Sequence, residues 1–149
     1  MNQKPITTPF LKGQKVEFIK KVTQNDVNQF AELTGDFSPN HVDDAFMKKS
    51  SYGKCIAHGA LLVGYMSTTS SMIVEQYANN IEGYTPVSLG YDGIRFIKPV
   101  FIDDTIKVEY TIEHYDNDKI RSLSNIEITN QKGELVAVAK HILKWVANQ

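Results

Sequence analysis

The sequence predicts an α+β domain in which a curved antiparallel sheet wraps around one long central helix, and three observations carry that prediction. From Cys55 to Val74 there is no formally charged residue, yet the stretch holds His58, Gly59, Gly64 and the polar run Ser67-Thr68-Thr69-Ser70-Ser71. It approaches the length of a membrane span, but this polar content is poor lipid-facing material, so a helix enclosed by protein is expected. Beyond Gly83 the period changes. Ile106, Val108, Tyr110 and Ile112 alternate with Lys107, Glu109, Thr111 and Glu113, as in a strand buried on one face. Third, Asp116-Asn117-Asp118 and Gln131-Lys132-Gly133 read as turns that divide the second half into about four successive strands. An apolar helix and a one-sided sheet each supply the surface the other must bury.

The elements follow in order. Val16 to Val22 reads as a short strand. Thr23 is a candidate N-cap with Asp26 in the first turn, ahead of Val27, Phe30, Ala31 and Leu33 at helical spacing. Gly35 stands where a helix C-terminal glycine belongs, which makes Asp36 the first residue of an emerging loop. Pro39 is expected to keep that loop irregular, and Asp43 to cap a short helix through Phe46 to Lys49. After the Ser50–Lys54 turn region, the long helix is expected to begin near His58-Gly59 and run to about Tyr77. Gly64 inside it costs about 1 kcal/mol relative to Ala, so close backbone packing is expected there. Val87 to Ile97, ended by Pro99, is the next strand; Ile106–Ile112, Ile120–Thr129 and Leu135–Val146 follow. This inventory suits the hot-dog architecture, although an unrelated α+β sandwich has the same pattern.

With 149 residues the chain fits one domain spanning 1–149, long enough to bury a real core. The net charge of −1, from 16 basic and 17 acidic residues mixed along the chain, gives no electrostatic case for a nucleic-acid or acidic-membrane partner. A single cysteine, Cys55, excludes an internal disulfide, and the expectation is a buried small side chain rather than a nucleophile. Met1 to Phe10 lacks the apolar run of a signal peptide, so a cytoplasmic address is expected.

Three segments carry chemistry. In Thr34-Gly35-Asp36-Phe37-Ser38-Pro39-Asn40-His41 a carboxylate and an imidazole lie five residues apart across a proline-directed loop. They could converge on one water molecule, with one group taking a proton from it and the other delivering a proton to carbon. Histidine suits this work because its reference pKa of about 6.5 lies near neutral pH. In Ile56-Ala57-His58-Gly59 the free amides and positive dipole of a helix start would face an acyl carbonyl, and glycine permits its close approach. His58 is expected to support or pack rather than react. The third segment, Ile94 to Thr105, says only strand, bend, strand. His114 and His141, on strands, are expected to pack or lie exposed; Asp43 caps rather than binds a metal; Arg95 and Lys98 read as surface charge.

Together these segments resemble the MaoC-like (R)-specific enoyl-CoA hydratases, whose pattern is Gly-Asp-x-Asn-Pro-x-His, then His-Gly-x-Leu at a helix start, then Phe-x-x-Pro-Val-x-x-Gly-Asp. The match runs from about Phe30 to Thr105, with compatible strands to Val146. The resemblance implies that Asp36 and His41 form a water-activating dyad and that Gly59 supplies the backbone oxyanion donor. It also implies that Ser67 matches a serine associated with the site. Eight helical residues span roughly 12 Å, so Ser67 cannot share the position of Gly59 at the helix mouth. Ser38 replaces the usual Asn and keeps a short polar side chain to organise the loop; Asn40 stands where an aliphatic residue is usual, and Asp103 where Gly is usual. The implied activity is reversible hydration of a trans-2-enoyl thioester to the (R)-3-hydroxyacyl thioester, a lyase reaction of fatty acid metabolism. A hot-dog acyl-thioesterase and a non-catalytic acyl-binding module are the alternatives. No metal, flavin or nicotinamide is implied, and CoA or phosphopantetheine belongs to the acyl-CoA or acyl-carrier-protein substrate. A homodimer or higher homo-oligomer is implied as well.

Overall fold

A computed structural model describes residues 6, 9–79 and 81–149; most of the Met1–Phe10 segment lies outside the described residues. The order is β1 (Lys15–Lys21), α1 (Gln24–Thr34), α2 (Pro39–Val42), α3 (Asp44–Met47), α4 (Gly59–Tyr77), β2 (Tyr84–Phe96), β3 (Thr105–Asp116), β4 (Arg121–Thr129) and β5 (Leu135–Ala147). The strands form one sheet in the order β1-β3-β4-β5-β2, every neighbouring pair antiparallel. The long helix α4 packs on β1 and β3, which is the hot-dog fold.

The alternation in β3 does what its period requires: Ile106, Val108, Tyr110 and Ile112 are all buried against the helix side. Each aliphatic side chain so placed contributes about 1.5–3 kcal/mol relative to exposure. On α4 the buried set is Leu62, Met66, Thr69, Ser70 and Ile73, a stripe at helical spacing. The polar run fits inside a buried helix because its hydroxyls bond back to the main chain, Thr69 Oγ1 to the Met66 carbonyl (2.7 Å) and Ser70 Oγ to that of Ser67 (2.8 Å). Among the described residues no helix is long and apolar enough to cross a membrane.

Two expectations need correction. Gly64 makes no close approach to anything, since a Cβ there would meet nothing within 4 Å; it lies on the exposed face of α4. Pro39 does not leave its loop irregular but opens the one-turn helix α2, because its fixed φ is already that of a first helical turn.

Candidate active site

Local forces deliver each site residue. Thr23 and Asp26 form a reciprocal capping box that starts α1, and Gly35, at φ 82°, ends it with its amide bonded to the Ala31 carbonyl. The chain turns there and releases Asp36. The Asp36 amide donates to Thr34 Oγ1 (3.3 Å), and its carboxylate Oδ1 accepts from the Ser38 amide (3.2 Å), which closes a local turn. Ser38 therefore organises the loop through its main chain. Pro39 then starts α2, which carries His41 inward to a buried position.

His41 Nδ1 lies 2.8 Å from the Ile56 carbonyl, and the Ile56 amide donates to the Asn40 carbonyl at 3.0 Å. A carbonyl only accepts, so the His41 proton is on Nδ1 and Nε2 presents its lone pair. By the same argument His58, whose Nε2 is 3.0 Å from the Asp36 carbonyl, carries its proton on Nε2. Its Nδ1 is buried without a partner among the described residues. The two imidazoles stack, with centroids 3.8 Å apart and planes at 27°, and Phe30 closes on His58 at 4.7 Å.

One donor atom from each of Asp36, His41 and His58 lies within 4.8 Å of the others. Two hydrogen bonds of about 2.8 Å to a shared water span such a gap, so the carboxylate and the imidazole can hold one solvent molecule between them.

Beside the dyad, α4 begins at Gly59. Its N-cap, His58, makes no side-chain capping bond, so the first amides remain open at the positive end of a 19-residue helix. Gly59 and Ala60 border a cavity of about 390 Å³ also walled by His41, Asn40, Tyr52, Phe96 and Val100. A Cβ on Gly59 would come within 2.5 Å of the Phe96 ring, so any larger residue there must displace that ring or the helix start. Asp36 itself is solvent exposed in the single chain.

The remaining candidates stand apart. Ser67 is exposed further along α4 and borders a separate groove with Ser70, Ser71 and Ser88, so the chain does not bring it to Asp36 and His41. His141 is fully buried, bonded to Tyr110 Oη through Nδ1 and to Ser88 Oγ through Nε2, both at 2.7 Å. His114 is exposed. Asp43 caps α3 by accepting from the Phe46 amide at 2.9 Å. Cys55 is buried, and that burial, with Asp44 beside it, pushes its thiol up to about 11. Lys98 pairs with Glu134 at 2.7 Å, and Arg95 turns back to the Ile94 carbonyl. Asp103 adopts φ 71°, which explains why glycine is usual at its position. Sequence reasoning missed the Ile56 carbonyl as the group orienting His41, since a main-chain acceptor leaves no mark in side-chain identity. It also missed Phe96 as the wall over Gly59, although Phe96 stood in the quoted Phe-x-x-Pro segment.

The family profile described as MaoC like domain matches residues 8–135. The chain is 30% identical over 132 residues to an (R)-specific enoyl-CoA hydratase of Aeromonas caviae, covering 89% of this chain and 92% of that protein. The solved structure of the A. caviae (R)-hydratase involved in PHA biosynthesis superposes with a TM-score of 0.78 at 27% identity, over 91% of this chain and 96% of the other. A structure described as a monoamine oxidase regulatory protein from Archaeoglobus fulgidus gives a TM-score of 0.79 at 31% identity, over 100% and 99%. With the profile spanning most of its length, this chain belongs to the MaoC-like domain family.

Proposed function

We propose that this protein is a hydratase/dehydratase that adds water reversibly to a trans-2-enoyl thioester and gives the (R)-3-hydroxyacyl thioester. The observation that carries the reading is a carboxylate oxygen of Asp36 and a ring nitrogen of His41 within 4.8 Å of each other, with His41 Nδ1 held by the Ile56 carbonyl. Water held there attacks C3 as one member takes its proton, and the other delivers a proton to C2 on the same face. The pair shares its protons as a coupled unit, and dehydration runs through the same groups in reverse. The thioester oxygen, which gains negative charge as oxygen adds, is met by the open amide of Gly59. Such a donor is worth on the order of 10²–10³ in rate. The (R)-specific hydratase of A. caviae supports this assignment.

The working form in this reading is a homodimer or higher oligomer. β2 is a 13-residue edge strand with Leu89 and Phe96 exposed, and Leu33 and Phe37 stand exposed beside Asp36. An unpaired strand edge and uncovered apolar side chains are what a second copy would cover. Incubation with a trans-2-enoyl-CoA tests the function: the conjugated absorbance falls with no release of thiol. Immediate thiol release would instead identify a thioesterase. No reaction, with binding of the thioester retained, would identify a non-catalytic acyl-binding module.

A further inference from the structure

We propose that His58 is the positioning residue of the dyad: one imidazole holds the Asp36 main chain by a hydrogen bond and the His41 ring by a stack, and leaves the first amides of α4 open. The inference rests on the hydration reading for its kinetic test only; its contacts can be tested without turnover.

His58 touches both members of the dyad through different atoms. Its Nε2–H donates to the Asp36 carbonyl at 3.0 Å, 22 residues away in sequence. Its face lies on His41 with centroids 3.8 Å apart, while Phe30 backs it from another side at 4.7 Å. The local turn through Thr34 and Ser38 orients the Asp36 carboxylate, and the His58 bond is the contact that ties this turn to the segment beside His41.

The place of His58 in α4 adds the third function. An ordinary N-cap is Ser, Thr, Asp or Asn, whose oxygen takes the amide of the second or third helical residue. His58 occupies the cap and makes no such bond, because its ring is turned to Asp36. The Leu61 amide is instead met by the His58 carbonyl at 3.2 Å, which leaves Gly59 and Ala60 to face the cavity. The residue that aligns the dyad is therefore the one that keeps the helix mouth uncapped.

The tautomers test the contacts directly. A long-range ¹H–¹⁵N correlation spectrum of the wild-type protein at neutral pH should show His58 protonated at Nε2 and His41 at Nδ1. Two variants then separate the contacts. His58→Gln keeps an N–H near the position of Nε2 but removes the stacked ring; His58→Phe keeps the ring and removes the donor. Each should lower kcat by on the order of 10–10²-fold, the scale of a displaced catalytic group, with KM little changed. In His58→Gln the His41 ring resonances should shift, because the stacked ring 3.8 Å away is gone, while Ile56 keeps the proton on Nδ1. A His58 ring protonated at Nδ1 and bare at Nε2 in the wild type would overturn the proposal, whether or not the variants fold. So would full kcat in His58→Phe, or an unaltered His41 spectrum in His58→Gln. If the wild-type protein does not hydrate enoyl thioesters at all, the function fails, while the spectra still decide the role of His58.

Discussion

Substituting Gly59→Ala puts a methyl group where the Phe96 ring stands. The new Cβ would lie 2.5, 2.7 and 2.8 Å from three ring carbons, whereas ordinary contact begins at 3.4 Å, so about 0.9 Å of relief is needed. The helix start can retreat, which moves the Gly59 and Ala60 amides, or the ring can swing out. Phe96 is 53% exposed and lies on an edge strand, so the ring has room to move, but it then ceases to wall the 390 Å³ cavity. A displacement of about 1 Å at a positioned group costs on the order of 10² in rate. We expect kcat/KM for enoyl-thioester hydration to fall by that order, with a fully folded protein by circular dichroism. Replacing Phe96→Ala in the same chain restores room for the methyl group. If the amide displacement is responsible, the double variant therefore recovers kcat relative to Gly59→Ala, a coupling that a double-mutant cycle measures. Full activity in Gly59→Ala alone would refute the placement of this amide and of the Phe96 wall in the reaction.

Three further outcomes follow from the same coordinates. Asp36→Asn keeps the acceptor for the Ser38 amide and removes the charge, so kcat should fall on the order of 10²–10⁴ while the melting temperature changes little. Burial holds His141 down at about 4 against 6.5 when unfolded, so the folded state binds fewer protons. The stability this gives is complete above pH 6.5 and is lost as pH falls through about 4, about 3 kcal/mol in all; His141→Gln should flatten that part of the urea-midpoint profile between pH 7 and pH 4. Leu89→Asp on the open β2 edge should shift sedimentation from dimer to monomer, and a wild-type protein that is already monomeric would contradict the proposed assembly.

The parts of the fold that were legible in the sequence are those where local chemistry and burial agree. Thr23, Asp26 and Gly35 mark both ends of α1 because caps are local, and the period of β3 survives because one whole face is buried. β2 begins at Tyr84 rather than Val87, since Pro86 is tolerated on an edge strand that need not use every amide. The proximity of Asp36 and His41 was legible as spacing within one loop. What fixes it was not: the Ile56 carbonyl, the stack of His41 on His58 and the ring over Gly59 join segments distant in the chain. The hydroxyl bridge from Ser88 through His141 to Tyr110 joins three strands and was equally invisible to a period-based reading.

The claim beneath all of this is that one water molecule, held between Asp36 and His41, ends on the third carbon of the acyl chain. Turnover of a trans-2-enoyl-CoA in H₂¹⁸O, with the product read by mass spectrometry and chiral analysis, measures that directly. The account predicts ¹⁸O on C3 of an intact (R)-3-hydroxyacyl thioester, lost in Asp36→Asn. Label in a released carboxylate, or an (S) product, would contradict it.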